Sequence, residues 1–197
     1  MNELFPIYVK LHQIKTLLVG AGNVGLEKLE AILENSPDAN IHIVAAEVNP
    51  EVYALANGKL NIEVSERGFD ISDIENVDLI MLATNNASLN AHIRQLASKH
   101  HILLNVADKP ALCDFYLGSV VSRGNLKVGI STNGKSPTIA KRLKEFFNDL
   151  LPEEIDDTLD LMGELRNTLK GDFQEKVRVL NEHTKDILAK KSYDSRN

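Results

Sequence analysis

Lys15 to Gly25 reads KTLLVGAGNVG, and the fold turns on it. Lys15 to Gly20 is a short apolar run ending in glycine, the form of a parallel strand whose two faces are both covered by helices. Beyond it Val24, Leu26, Leu29, Ile32 and Leu33 recur at about 3.6 residues per turn, the period of a helix, until Ser36-Pro37-Asp38 stops it. Gly20, Gly22 and Gly25 stand between the two as G-x-G-x-x-G. In that strand–turn–helix setting Gly20 permits the tight turn, Gly22 lets a pyrophosphate reach the backbone, and Gly25 lets helix and strand pack closely. The helix N-terminus would add free N–H groups and the positive end of its dipole. The same spacing also suits a purely structural turn.

Working outward, Ile41–Ala46 reads as a second strand and Glu51–Asn57 as a short helix closed by Gly58. Leu60–Val64 is a weaker strand, Val77–Ala83 a buried strand, Ala87–Lys99 a helix and Ile102–Val106 a further strand. Strands alternating with helices predict an α/β fold, a Rossmann-like doubly wound parallel sheet with right-handed crossovers, over residues 1–115. The pattern then changes. Tyr116–Ser122 and Asn125–Ser131 predict a β-hairpin around Arg123-Gly124, and Ser136-Pro137 opens a helix to about Leu150, making a middle region of 116–150. Residues 151–197 read as a small helical C-terminal domain with a break near Gly171. Ile155, Leu159, Met162, Leu165 and Leu169 share one helix face there, and the last six residues are expected to fray.

The 197 residues are 43% hydrophobic and 25% charged, enough for an ordinary core. With 22 Lys+Arg against 28 Asp+Glu, the net charge of −6 argues against a general nucleic-acid binder and against bulk attraction to anionic membrane. No run approaches the roughly 18 apolar residues of a membrane span. Met1–Lys15 lacks the apolar core of a signal peptide, so a soluble cytoplasmic protein is expected. One cysteine, Cys113, excludes an internal disulfide and a cysteine-only metal cage. His12, His42, His92, His100, His101 and His183 show no paired-ligand spacing, so no metal site is assigned.

Ligands of open α/β sheets lie outside the carboxyl ends of the strands. Glu47 follows the second strand about 20 residues after the glycines, where a carboxylate bonds the adenosine ribose; no Arg or Lys is there, which favours NAD over NADP. A solvated loop glutamate is the alternative. Thr84, Asn85 and Asn86 would face the same crevice, as cofactor contacts or as caps of the next helix. Asp108, after the fifth strand, is placed as a general base or as an ordinary turn aspartate. Arg123, Lys127, Lys135, Lys141, Arg142 and Lys144 face one acid, Glu145, within Arg123–Phe147. Ser131 to Pro137 forms a small-residue turn into a helix N-terminus. That segment is either a solvated helix face with a capped start or a site for a substrate with several carboxylates.

The combined motifs resemble the precorrin-2 dehydrogenase family, which includes the dehydrogenase/ferrochelatase part of siroheme synthase. They are Phe5-Pro6-Ile7-Tyr8 with Leu11, VGAGNVGLEK (19–28), ATNNASLN (83–90), NVADKPALCDF (105–115), RGNL (123–126) and GISTNGKSPTIAKRLKE (129–145). The resemblance implies NAD-dependent oxidation of precorrin-2, an octacarboxylate tetrapyrrole, to sirohydrochlorin. It implies cofactor contacts at Gly22, Asn23, Val24, Glu47 and Val48, and makes Asp108 the aspartate implicated in the oxidation and, in bifunctional members, in metal insertion. It gives the basic segment a purpose, with Arg123, Ser131, Thr132, Lys135, Ser136 and Arg142 meeting substrate carboxylates. It also implies a homodimer joined largely through the middle region, with the tail helping to close the site. Two departures are Gly118, where the family often has proline, and Thr132, where some members have serine. The methyltransferase domain of the fused synthases does not fit in this length, so that step is expected of another protein. An enzyme that also inserts Fe2+ into sirohydrochlorin, and a non-enzymatic NAD-sensing regulatory domain, are the competing expectations.

Overall fold

The structure, a computed structural model, describes residues 2–169 and 173–184. Thr16–Ala21 (β1), Ile41–Val48 (β2), Ile62–Glu66 (β3), Leu79–Leu82 (β4) and Leu103–Val106 (β5) form one parallel sheet in the order β3-β2-β1-β4-β5. The crossovers are α1 (Asn23–Asn35), α2 (Pro50–Ala56), a 3-10 turn at Ile71–Ile74, and α3 (Ala87–His100). β1 lies between β2 and β4, so the order reverses there and a crevice opens at the carboxyl ends of β1 and β4.

The strands read as continuous apolar runs because both faces of the sheet are covered. Leu18, Ile43 and Met81 pack with Leu29 and Ile32 of α1, while Leu17, Val19, Ile80 and Leu104 pack with Ile93 and Ala97 of α3. The strand period of two thus divides the core into two layers. β3 starts two residues later than its apolar pattern suggests: Ile62 pairs with Ile41, which leaves Leu60 fully exposed. The 3-10 turn at Ile71–Ile74 gave no periodic signal. It is fixed by Asp70, whose carboxylate accepts from Ser72 N (2.9 Å), and by an Arg67–Asp73 ion pair with the carboxylate buried.

After the sheet come the antiparallel pair β6 (Ser119–Arg123) and β7 (Leu126–Ile130), then α4 (Pro137–Leu150), α5 (Ile155–Thr168) and α6 (Phe173–Thr184). Ser136 caps α4, its Oγ accepting from Ile139 N at 3.2 Å. The break expected near Gly171 and the frayed last six residues lie outside the described residues.

The chain forms two compact units. One holds the residues up to Val120 together with Gly129–Lys144; the other holds Val121–Val128 with the described residues from Glu145 on. In the second unit, Gly124 turns the hairpin at φ +54, and a Cβ there would strike the Asp156 carboxylate. That carboxylate accepts from Asn125 N at 2.6 Å and Asn125 Nδ2 at 3.1 Å, tying the turn to the start of α5.

Candidate functional site

The glycine turn has the three-part geometry a dinucleotide needs. Gly20 has φ +98, and a Cβ there would lie 2.6 Å from Ala83 O; at Gly25 a Cβ would run into Gly20 O. At Gly22 a Cβ would meet nothing within 4 Å. Gly20 and Gly25 are therefore required by the packing, whereas Gly22 leaves open space over the backbone. Gly22 caps α1 without a side-chain acceptor, and no acidic residue stands in the first turn, so the N-terminal N–H groups keep their capacity for an anion. The residues present fit a pyrophosphate. Asn23 and Val24 are exposed beside it, with Asn23 Oδ1 accepting from Asn49 Nδ2 at 3.4 Å.

Glu47 is exposed at the end of β2, and no described hydrogen bond or ion pair engages its carboxylate. The neighbouring acid, Glu66, is already occupied: it accepts from Val48 N (3.3 Å) and from Tyr53 Oη (3.0 Å), and the tyrosine hydroxyl is held above its usual pKa by partial desolvation and by that carboxylate. At the end of β4, Thr84 donates to Asn90 Oδ1 (2.7 Å), while Asn90 Nδ2 returns a bond to Thr84 O (3.0 Å). Asn86 caps α3 through Leu89 N at 3.1 Å. Asn85 projects, exposed, between them. The cap is thus Asn86 alone.

A cavity of about 510 Å³ adjoins this edge, and all its walls belong to the first unit. Val24 and Lys28 enter from α1, Asn105 and Asp108 from the end of β5, and Ser131 and Thr132 from the turn before α4. Asp108 sits at φ +55, a left-handed conformation that Asp tolerates better than most residues. Its loop is strapped to β5 on both sides. The Cys113 thiol accepts from Val106 N and donates to Val106 O, both at 3.2 Å. Asp114 N donates to Leu104 O (2.7 Å), and its carboxylate takes Leu104 N (2.9 Å) and Arg94 Nη1 (2.6 Å). Cys113 is therefore a strut of the site loop.

Lys28 is the residue that sequence reasoning passed over, although it closes the motif VGAGNVGLEK. Its Nζ donates to Asn105 Oδ1 at 2.7 Å, and burial pushes its pKa down against the opposing pull of Cys113 and Asp108. Its position three residues after Gly25, on the helix face turned to the sheet, was the available signal.

The basic segment is only partly gathered here. Ser131 and Thr132 line the cavity, but their hydroxyls also stabilise the turn: Ser131 Oγ accepts from Asn133 N, and Thr132 Oγ1 bonds Ser136 N and O. Lys135 and Arg142 are exposed, Ser136 caps α4, and Lys144 pairs with Glu34 at 3.4 Å. Arg123 lies in the second unit, where Nη2 donates to Asn148 O at 3.0 Å. Gly118 accounts for its departure from proline: a Cβ there would stand 2.6 Å from Ile130 O. Among the described residues no three His, Cys, Asp or Glu side chains converge as a metal site.

A parallel sheet with its switch point at a glycine turn and free helix N–H groups there define a dinucleotide-binding protein of the Rossmann-like class. The chain belongs to the family described as "Putative NAD(P)-binding", whose model matches residues 7–119, and residues 123–149 match the model described as "Sirohaem biosynthesis protein central". The family match and the SirC likeness reported below support NAD as the cofactor. The chain is 35% identical to a siroheme synthase of Baumannia cicadellinicola over 168 residues, which are 85% of this chain and 36% of that protein. It is 32% identical to the siroheme synthase of Vesicomyosocius okutanii over all of this chain and 42% of that one. It thus spans less than half the length of these relatives. Among solved structures it is similar to SirC, a precorrin-2 dehydrogenase, with a TM-score of 0.75 and 26% identity over 94% of this chain and 92% of that one.

Proposed function

We propose that this chain oxidises precorrin-2 to sirohydrochlorin with NAD+ in the cytoplasm, acting as a homodimer. The observation that carries the reading is that Val24 of the glycine turn and Asp108 of the β5 loop line one cavity, so a dinucleotide and a substrate would meet beside one carboxylate. Siroheme synthases and a precorrin-2 dehydrogenase as relatives support it.

NAD+ bound at the turn supplies a hydride acceptor. The macrocycle gives up one hydride and one proton, and Asp108 takes the proton and passes it to water. Gly20 and Gly25 fix the turn, Gly22 leaves the approach clear, and Glu47 receives the ribose hydroxyls, with Val48, Thr84 and Asn85 framing the crevice. Residues 1–115 hold the cofactor, and 116–150 serve substrate and dimer contacts. Ser131, Thr132, Lys135 and Ser136 border the substrate, with Arg123 and Arg142 contributing charge. The dimer draws support from α4, where Ile139, Leu143, Phe146 and Leu150 follow helical spacing and are 37–57% exposed.

The test is anaerobic incubation with precorrin-2 and NAD+. NADH appearing in step with sirohydrochlorin is expected. NAD+ binding without redox change on the tetrapyrrole would leave a nucleotide-sensing domain instead. Iron added to sirohydrochlorin in a separate incubation without NAD+ reads metal insertion.

A further inference from the structure

We infer that Lys28 is a substrate-anchoring residue, its ammonium receiving one carboxylate of the tetrapyrrole in the cavity it shares with Asp108. This rests on the function proposed above.

Lys28 stands three residues after Gly25, so α1 presents the glycine turn to the dinucleotide and, one turn later, a cation to the neighbouring cavity. Its Nζ has one described partner, Asn105 Oδ1 at 2.7 Å. Asn105 is 6% exposed, and its Nδ2 is committed to Phe115 O at 2.9 Å, which sets the amide so that its oxygen faces the lysine. A buried amide therefore holds the ammonium in place without neutralising it. No described ion pair includes Lys28. The other ionisable groups lining the cavity are Glu27, Asp108, Lys109, Cys113 and Tyr116, and none of their side chains bonds Nζ.

A partly desolvated cation bonded to one neutral acceptor is incompletely satisfied. An ammonium has three donors, and burial already works against its charge. A ligand carboxylate would supply both the countercharge and the missing acceptors, and charge-assisted bonds of this kind are among the stronger ones. The placement also separates two tasks. Lys28 holds a peripheral carboxylate from the α1 wall, while Asp108, on the β5 loop, remains available for the proton.

The experiment compares wild type, Lys28→Arg, Lys28→Met and Lys28→Gln in two assays. Sirohydrochlorin binding is titrated by absorbance without NAD+, and steady-state oxidation of precorrin-2 is measured with it. Loss of the charge-assisted bond predicts that Lys28→Met weakens sirohydrochlorin binding and raises KM about tenfold or more. kcat and the NAD+ Kd should stay within about threefold, and Lys28→Arg should recover most of the binding. Lys28→Gln carries the comparison if the methionine variant does not fold. Unchanged binding and KM in the neutral variants would overturn the anchoring role, as would a loss confined to kcat, which would mark a proton-handling group. Wild type that neither binds sirohydrochlorin nor oxidises precorrin-2 would instead overturn the function on which the inference rests.

Discussion

Gly22 and Gly25 are three residues apart and would fail in opposite ways if given a side chain. Gly25→Ala drives a methyl into Gly20 O, so a lower Tm is expected, corresponding to a loss of about 2 kcal/mol. Gly22→Val finds open space and should keep its Tm within about 2 °C, yet its branches occupy the approach of the pyrophosphate. Calorimetry of Gly22→Val should therefore show a near-normal fold, and titration should show NAD+ affinity lowered at least about tenfold. A Gly22→Val protein with wild-type NAD+ affinity would dismiss the turn as a phosphate site. Asp108 calls for a different substitution. At φ +55, alanine adds backbone strain to the loss of the carboxylate, whereas asparagine accepts that conformation. Asp108→Asn should retain folding and NAD+ binding and lose about 100-fold or more in kcat, a general base contributing on that order. Normal turnover in that variant would remove Asp108 from the chemistry.

At the scale of elements, the 3-10 turn between β3 and β4 is held by the Asp70 cap and by the Arg67–Asp73 ion pair. Arg67 and the Asp70 backbone hold the Asp73 carboxyl below its usual pKa, the arginine bond being the larger cause. A carboxyl depressed on folding contributes stability above its unfolded pKa, near 3.9, and that contribution fades as pH falls through the lower folded value. Asp73→Asn should therefore cost on the order of 2 kcal/mol at pH 7, and the gap from wild type should hold down to about pH 5 and narrow below pH 4. Urea unfolding at pH 7, 5 and 3 checks both statements; a gap that widens in acid would refute the assignment. The elements were unevenly legible in the sequence. β1, α1, β5, α3 and α4 follow their periodic patterns and punctuation closely, because buried parallel strands and capped amphipathic helices each leave local signals. β3 slipped by two residues and the 3-10 turn was missed, since both depend on partners distant in sequence: Ile41 for the strand, Arg67 with Asp73 for the turn.

At the scale of the whole molecule, α4 bears on assembly. Ile139, Phe146 and Leu150 are each more than half exposed on one helix of a chain whose net charge is −6. Replacing Ile139 and Phe146 together by aspartate should convert a dimer into a monomer in analytical ultracentrifugation while leaving the NAD+-binding unit folded. A wild-type monomer at micromolar concentration would count against the homodimer. The site itself was half legible. The places of Glu47 at the end of β2 and of the glycine turn before α1 could be read because they depend on fixed spacing along the chain. Lys28 could not, because its partner Asn105 lies 77 positions away and its meaning comes from burial.

The sequence by itself determined the alternating architecture, the dinucleotide turn and the placing of Asp108 after a buried strand, because each rests on local periodicity or on glycines whose role is set within a few residues. Only the tertiary structure decided which polar groups remain available. It committed Thr84 and Asn86 to α3, Glu66 to Val48 and Tyr53, and Cys113 to the β5 loop, and it left Glu47 and the ammonium of Lys28 in no described ion pair. Availability is a matter of who stands beside whom after the chain has crossed over several times, and no local pattern carries that information.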